Sequence, residues 1–377
     1  MLSFCLFAAG QEAQVPARIS SAAQAYLDHV LDLMQAHALH TNEIDWPAVR
    51  SETLKRAAGA QTTADTYPAI FYALTQLKER HSFLRIPDAL PDADRERAQA
   101  SMSEILGQYK NQAPRHPNAV FRDRSVPSGH LINAGDAVFA YIVIPACGSK
   151  HSNMQENQGD FQAYADALHS IAASLEASHP WGWIVDLRGN GGGNMYPMIA
   201  GIGMVLGEGT LGYFVSASGA EEPWFYRHGS AGGVVGSKES TMAQVRGDPF
   251  VLPDLPPVAV LLDSGTISSG EAVAISFIGR SRTKSFGAHT YGLSTGNEGY
   301  PLSDGASLFL CDVIEADREH RTYPDGIEPD VVLSEPFVLP SEEADPVIQA
   351  AQQWLLTLRT QSQRSRELTL PTVAAPR

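Results

Sequence analysis

The chain has 377 residues, 44% of them hydrophobic, enough to bury the core of one large domain or of two to three smaller ones. A formal charge of -15 argues against nucleic acid and against an anionic membrane surface as partners. No run reaches the roughly 18 consecutive apolar residues of a transmembrane helix, and without HExxH or clustered Cys/His spacing no metal or cofactor is expected.

The opening residues, MLSFCLFAAG, read as the end of a secretory apolar region that lacks its basic start. Residues 1–16 are therefore read as a signal-peptide remnant, and the protein as extracytoplasmic, periplasmic or secreted. Cys5, Cys147 and Cys311 make no disulfide framework, and the last two follow apolar runs, as buried thiols do. Apolar residues at Ala23, Tyr26, Val30 and Met34 predict a helix from Ser21 to about His40. Asp45 reads as an N-cap, with Pro47 in the first turn of a helix to about Ala58. A third helix is predicted from Ala64 to Glu79. Residues 17–85 thus form a small helical module, ending in Arg80-His81-Ser82-Phe83-Leu84. Residues 86–135, polar and rich in Pro, Asp and Arg, read as a connecting or lid segment with one helical stretch at 98–109. They are too few for an added peptide-binding (PDZ) module.

From 136 to 340 strands and helices alternate. Strands are predicted at Ala137–Pro145, Trp183–Asp186, near Gly212–Val215, at Val258–Leu262 and at Thr283–Phe286, with late strands at Ser307–Ile314 and Asp330–Leu333. The helices between them are one capped at Gly159–Asp160, one at Met195–Leu206 and one at Ala272–Ile278. This is the pattern of an α/β fold, a largely parallel sheet covered by right-handed crossover helices. Residues 341–377 supply a closing helix at Pro346–Leu358 and a polar tail, from about Thr360, read as disordered.

Two loops could carry chemistry. The turn Asp263–Gly270 lies between a buried strand and a helix, where a serine oxygen can be held exposed at a helix N-terminus; Ser264, Ser268 and Ser269 are the candidates, although serines there are often only caps. Arg188–Asn194 holds three consecutive glycines, Gly191 to Gly193. They lack the Lys-Ser/Thr of a phosphate loop, which leaves a pair of oxyanion donors or a plain tight turn. His81 is a candidate base or simply a helix C-cap, with His289 as a rival. Glu328 is a candidate orienter, and Lys284, alternating with Phe286, faces solvent on a strand.

IVDLRGNGGGN at 184–194, VAVLLDSGTISSGEAVAISF at 258–277, FGAHTYGLSTGN at 286–297, RHSFL and GIEPDVVL together resemble the C-terminal processing (tail-specific) serine peptidases, over about residues 60 to 335. That group includes the tricorn core and the repeats of interphotoreceptor retinoid-binding proteins. The resemblance implies a crotonase/ClpP-like sheet and a nucleophile in a Ser-x-x-Glu turn, here Ser268 before Glu271. The lysine of the bacterial enzymes' dyad is replaced by Leu293, so the resemblance is to the histidine-using branch. It implies His81 as base beside Ser82, in the order His-Ser where tricorn has Ser-His. It further implies Glu328 as the orienting group, and the N–H groups of Ser269 and Gly192 as the oxyanion hole. The implied partner is an unstructured polypeptide, possibly trimmed from its C-terminal end, lying extended beside the sheet; oligomerisation is left open. The alternative is a non-catalytic protein that binds a hydrophobic small molecule on the same fold, like the retinoid-binding relatives.

Overall fold

Strands buried on both faces read as unbroken apolar runs rather than alternating ones, and three such runs lie side by side in the middle of one sheet. The computed structural model describes residues 18–87, 89–111, 125–148, 154–235, 237–334 and 342–369. The signal-peptide reading of 1–16 lies outside the described residues. The chain divides into two compact units, residues 1–113 with 298–310, and 114–297 with 311–377.

The first unit holds helices α1 (Ser21–His37), α2 (Trp46–Arg56) and α3 (Tyr67–Thr75), strand β1 (Phe83–Arg85) and helix α4 (Asp92–Asn111). Ser20 Oγ accepts from Ala23 N–H and Asp45 Oδ1 from Ala48 N–H, each at 3.1 Å, fixing the starts of α1 and α2. The apolar faces of α1 to α3 meet in one core around Leu27, Leu31, Phe71 and Leu77. α3 ends at Thr75, short of the predicted Glu79, and Lys78 then takes a left-handed φ of 60° that a helix cannot continue.

The second unit begins with strands β2 (Ser128–Ala134) and β3 (Ala137–Val143), helix α5 (Met154–Glu176), strand β4 (Gly182–Asp186) and helix α6 (Met195–Leu206). Four strands follow, β5 (Gly209–Ser216), β6 (Glu221–Arg227), β7 (Ser230–Val235) and β8 (Lys238–Gln244). The chain continues with β9 (Val258–Leu262), α7 (Ser269–Phe277), β10 (Thr283–Gly287), β11 (Thr295–Pro301), β12 (Ser307–Ala316), β13 (Val331–Val332) and α8 (Pro346–Thr369), of which residues 298–310, most of β11 and the start of β12, belong to the first unit. One sheet has the order β13-β10-β9-β4-β3-β2, parallel throughout except for the β2–β3 pair. Its β3, β4 and β9 are the apolar runs. α5, α6 and α7 cover one face through Leu168, Ile199 and Val273, and α8 covers the other through Val347, Ile348 and Leu355. The fold is therefore mixed α/β.

The second sheet is antiparallel: β5 pairs with β6, β6 with β7, β7 with β8, and the end of β12 with β5. Of β5–β8 only β5 is predicted from sequence. β7 carries two glycines and β8 is polar and mostly exposed, so neither shows the apolar alternation that marks a strand. Three further expectations are corrected. β2 lies inside the segment read as a connection. α5 starts at Met154, well before Gly159–Asp160, because Met154 to Asn157 are compatible with a helix. α8 runs to Thr369 through the stretch read as disordered, whose Gln, Arg and Glu are strong helix formers.

At the end of β4 a buried ion cluster holds the glycine loop in place. Arg188 donates through Nε and Nη2 to Asp186 (2.9 and 2.8 Å) and through Nη1 to Asp345 (2.7 Å), and Tyr141 Oη donates to Asp186 (2.5 Å). Asp345 in turn accepts the Val347 N–H at the start of α8. Removing the guanidinium leaves two buried carboxylates uncompensated. Arg188→Leu is expected to cost about 3–5 kcal/mol in urea unfolding; a loss under about 1 kcal/mol would show that the cluster does not hold this corner together.

Candidate active site

β9 enters a turn in which Asp263 Oδ1 accepts the N–H groups of Gly189 (2.8 Å) and Gly265 (3.0 Å). The turn ends at Ser268, the N-cap of α7, at φ 55° and ψ -122°. A non-glycine residue there is strained, and the strain persists only where the surroundings over-determine it. Glu271 supplies that constraint. Fully buried, its carboxylate accepts from the N–H of Ser268 (2.9 Å), Thr290 Oγ1 (2.5 Å), and the N–H groups of Gly292 (3.0 Å) and Leu293 (2.8 Å). Thr290 Oγ1 also accepts the Ile327 N–H at 2.8 Å. One carboxylate thus ties the serine turn to the 290–293 loop and, through Thr290, to the segment that carries Glu328. Burial pushes the Glu271 carboxyl above its ordinary value, against the pull of these donors.

The glycine loop lies against the same turn. Ile267 N–H donates to Asn190 O (2.9 Å), and Ser269 Oγ donates to Gly193 O (2.6 Å). At Gly192, with φ 92°, a Cβ would stand 2.8 Å from Ile267 O and 3.0 Å from Ser268 Cβ, so only glycine lets the loop approach the serine.

The three candidate serines are thereby separated. Ser264 is fully buried; Ser268 and Ser269 are both half-buried, but Ser269 has its hydroxyl engaged by the loop, while Ser268 sits at the strained position of the turn. Of the two expected oxyanion donors, Ser269 N–H opens α7 and has no acceptor among the described residues. Gly192 N–H instead donates to Asn190 Oδ1 at 2.9 Å, because the buried Asn190 amide needs a donor for its oxygen. Gly192 lies beside Ser268, with its N–H already engaged.

Glu328 is exposed and lines a cavity beside α7 that does not include Ser268. Lys284 is half-buried on β10 rather than facing solvent, because positions two apart on a strand share a face and Phe286 is buried. His289 Nδ1 contacts Thr290 O at 2.7 Å, on the loop held by Glu271. His81 and Ser82 belong to the other unit, just before β1. There Glu79 accepts the N–H groups of His81 (2.5 Å) and Ser82 (3.0 Å), an anchor that sequence reading missed because Glu79 looked like the polar end of a helix. Cys147 and Cys311 are both buried thiols, as expected. No group of three or more potential metal ligands occurs among the described residues.

A second buried carboxylate interacts with that of Glu271. Glu315, on β12, is 2% exposed, and its Oε2 has no hydrogen-bond partner among the described residues. Burial, and then the Glu271 charge, push its carboxyl well above the ordinary 4.5. The native state therefore keeps a proton that the unfolded chain releases. The associated stability is present below about 4.5 and is lost as pH rises toward the folded-state value. Glu315→Gln is expected to become increasingly more stable than wild type as pH rises from 5 to 8. A stability difference that does not change with pH would show that Glu315 is ionised in the fold.

The family model for peptidase family S41 matches residues 139–333, just over half of the chain. The nisin-resistance protein of Lactococcus lactis subsp. lactis is 26% identical over 310 residues, which cover 82% of each chain. A carboxyl-terminal-processing protease of Synechocystis sp. is 28% identical over 191 residues, covering 50% of this chain and 39% of the relative. Among solved structures, a lipoprotein from Streptococcus agalactiae superposes with TM-score 0.62 at 22% identity, covering 90% of this chain and 98% of that one. The photosystem II D1 C-terminal processing protease superposes with TM-score 0.57 at 17% identity, covering 88% and 98%. No helix among the described residues is long and apolar enough to cross a membrane.

Proposed function

This chain belongs to peptidase family S41 and is a serine-type peptidase, and on that premise we propose that Ser268 is the nucleophile with which it hydrolyses polypeptides near their C-terminal ends. The observation that carries the reading is the strained Ser268 turn, at φ 55°, clamped by buried Glu271 at the start of α7 and faced by a glycine loop. A serine hydroxyl becomes an effective nucleophile only when a base accepts its proton, and that base needs a partner to fix its tautomer. His81 takes the Ser268 proton and returns it to the leaving amine. Glu328, directly or through Ser82, orients the imidazole. Ser269 N–H meets the oxyanion, and Gly192 N–H joins it by exchanging Asn190 Oδ1 for that oxygen. The crotonase/ClpP-like arrangement expected of the family would lay the extended peptide beside the parallel sheet. The name of one relative, a carboxyl-terminal-processing protease, supports chain ends as substrates.

The test is digestion of unstructured polypeptides of known sequence, with the products mapped by mass spectrometry. Fragments lost from the C-terminal end are expected. Cuts spread evenly along the chain would contradict trimming, and no product from well-folded protein would contradict the peptidase reading of Ser268.

A further inference from the structure

Arg280, just after α7, is 6% exposed, and everything it donates to is neutral. Nε reaches Val205 O (2.9 Å), Nη1 reaches Ser281 O (3.1 Å) and Thr283 Oγ1 (2.9 Å), and Nη2 reaches Pro256 O (2.8 Å). No carboxylate pairs with it among the described residues. Burial, then the like charges of Arg318 and Arg282, pull its pKa down to about 10. Arg318 has a buried Nε with no hydrogen-bond partner among the described residues. Buried charges are ordinarily paired, because taking an ion out of water costs several kcal/mol. The contrast inside this chain is direct, since equally buried Arg188 has two carboxylates.

Arg280 lines a cavity of about 330 Å³ whose walls include Val260, Ala274, Phe277 and Ile327. That volume lies at the small end of ligand pockets, and an apolar wall with a few polar groups is how such pockets are built. Arg321 also lines the cavity, but its guanidinium is already paired with Asp317 (3.0 Å) and Glu319 (3.4 Å), which leaves Arg280 as the cation without a carboxylate among the described lining residues. The two acids there do not neutralise Arg280: Glu328 is exposed, and the Asp330 carboxylate accepts from Ser285 N–H (2.8 Å) and Oγ (2.9 Å). We infer that this cavity beside α7 binds a small carboxylate with an apolar body, its carboxylate facing Arg280 and its body against Ala274 and Phe277. An inorganic anion would leave the apolar wall unused, and a neutral apolar molecule would leave the guanidinium without a counter-charge. The ligand is a free acid or the C-terminal residue of a peptide, which share this chemistry. The inference does not depend on Ser268 chemistry.

The test uses the full chain with 3-phenylpropionate and its amide, followed by calorimetry and thermal unfolding. The acid is expected to bind with Kd below about 1 mM and to raise Tm, and the amide to bind at least about tenfold more weakly. Gly-Gly-Phe with a free or an amidated C-terminus separates the two sources. Tighter binding of the free peptide than of 3-phenylpropionate identifies a chain end, and the reverse identifies a free acid. Arg280→Lys keeps the charge but not the planar fork, and should weaken the acid about tenfold. Because Arg280 also holds three carbonyls, Ala274→Leu, which fills the cavity from α7, carries the test if that variant fails to fold; it should abolish binding. Equal binding of acid and amide, no binding of either up to about 10 mM, or wild-type affinity in Ala274→Leu would overturn the inference.

Discussion

Ser268→Ala is expected to lose about 10⁶ in kcat, the loss seen when a serine-peptidase nucleophile is removed. Its fold should stay within about 1 kcal/mol of wild type. The contacts that hold the turn are backbone contacts: Ser268 N–H donates to Glu271, and Ser268 O accepts from Glu271 N–H and Ala272 N–H. Alanine keeps all three and adds no atom toward Gly192. A variant that folds and still turns over at a tenth of the wild-type rate would remove Ser268 from the mechanism. Ser264 cannot replace it, being fully buried, and the Ser269 hydroxyl is engaged by Gly193 O.

His81→Ala should lose at least about 1000-fold in kcat, by the precedent of removing a triad base, whereas Lys284→Ala should leave the rate unchanged. The comparison is needed because Leu293 stands where the bacterial enzymes of this family place a lysine, and its N–H only donates to Glu271. A lysine mechanism would have to recruit Lys284, on β10. His289→Ala is the second control, since His289 sits on the loop that Glu271 ties to the serine turn. A loss confined to His289→Ala, or to Lys284→Ala, would transfer the role of base to that residue.

The parts of the fold legible in the sequence are those where burial on two sides leaves a one-letter pattern. β9 occupies Val258–Leu262 and α6 Met195–Leu206, as predicted, because their apolar runs are long and bounded by turn residues. Asp45 and Pro47 mark the start of α2 for the same local reason. The antiparallel strands β6 to β8 leave no alternating pattern: β6 opens with two glutamates and a proline, β7 carries two glycines, and β8, at the sheet edge, is polar and mostly exposed. α8 was cut short because polarity alone does not distinguish a solvated helix from an unstructured tail. At the site, Ser-x-x-Glu and the glycines could be read because backbone geometry demands those residues. Their partners could not. That Gly192 N–H is held by Asn190, that Thr290 links Glu271 to Ile327, and that Glu79 anchors His81 and Ser82 are facts of three-dimensional placement. None of them leaves a spacing in the chain.

The central claim is that Ser268 is an activated serine, and a fluorophosphonate probe measures that directly. Wild type and Ser268→Ala are labelled side by side, and the modified peptide is mapped by mass spectrometry. The account predicts a single adduct on Ser268 in the wild type and none in the variant. Absence of labelling in well-folded wild type, or an adduct that persists in Ser268→Ala, would contradict it.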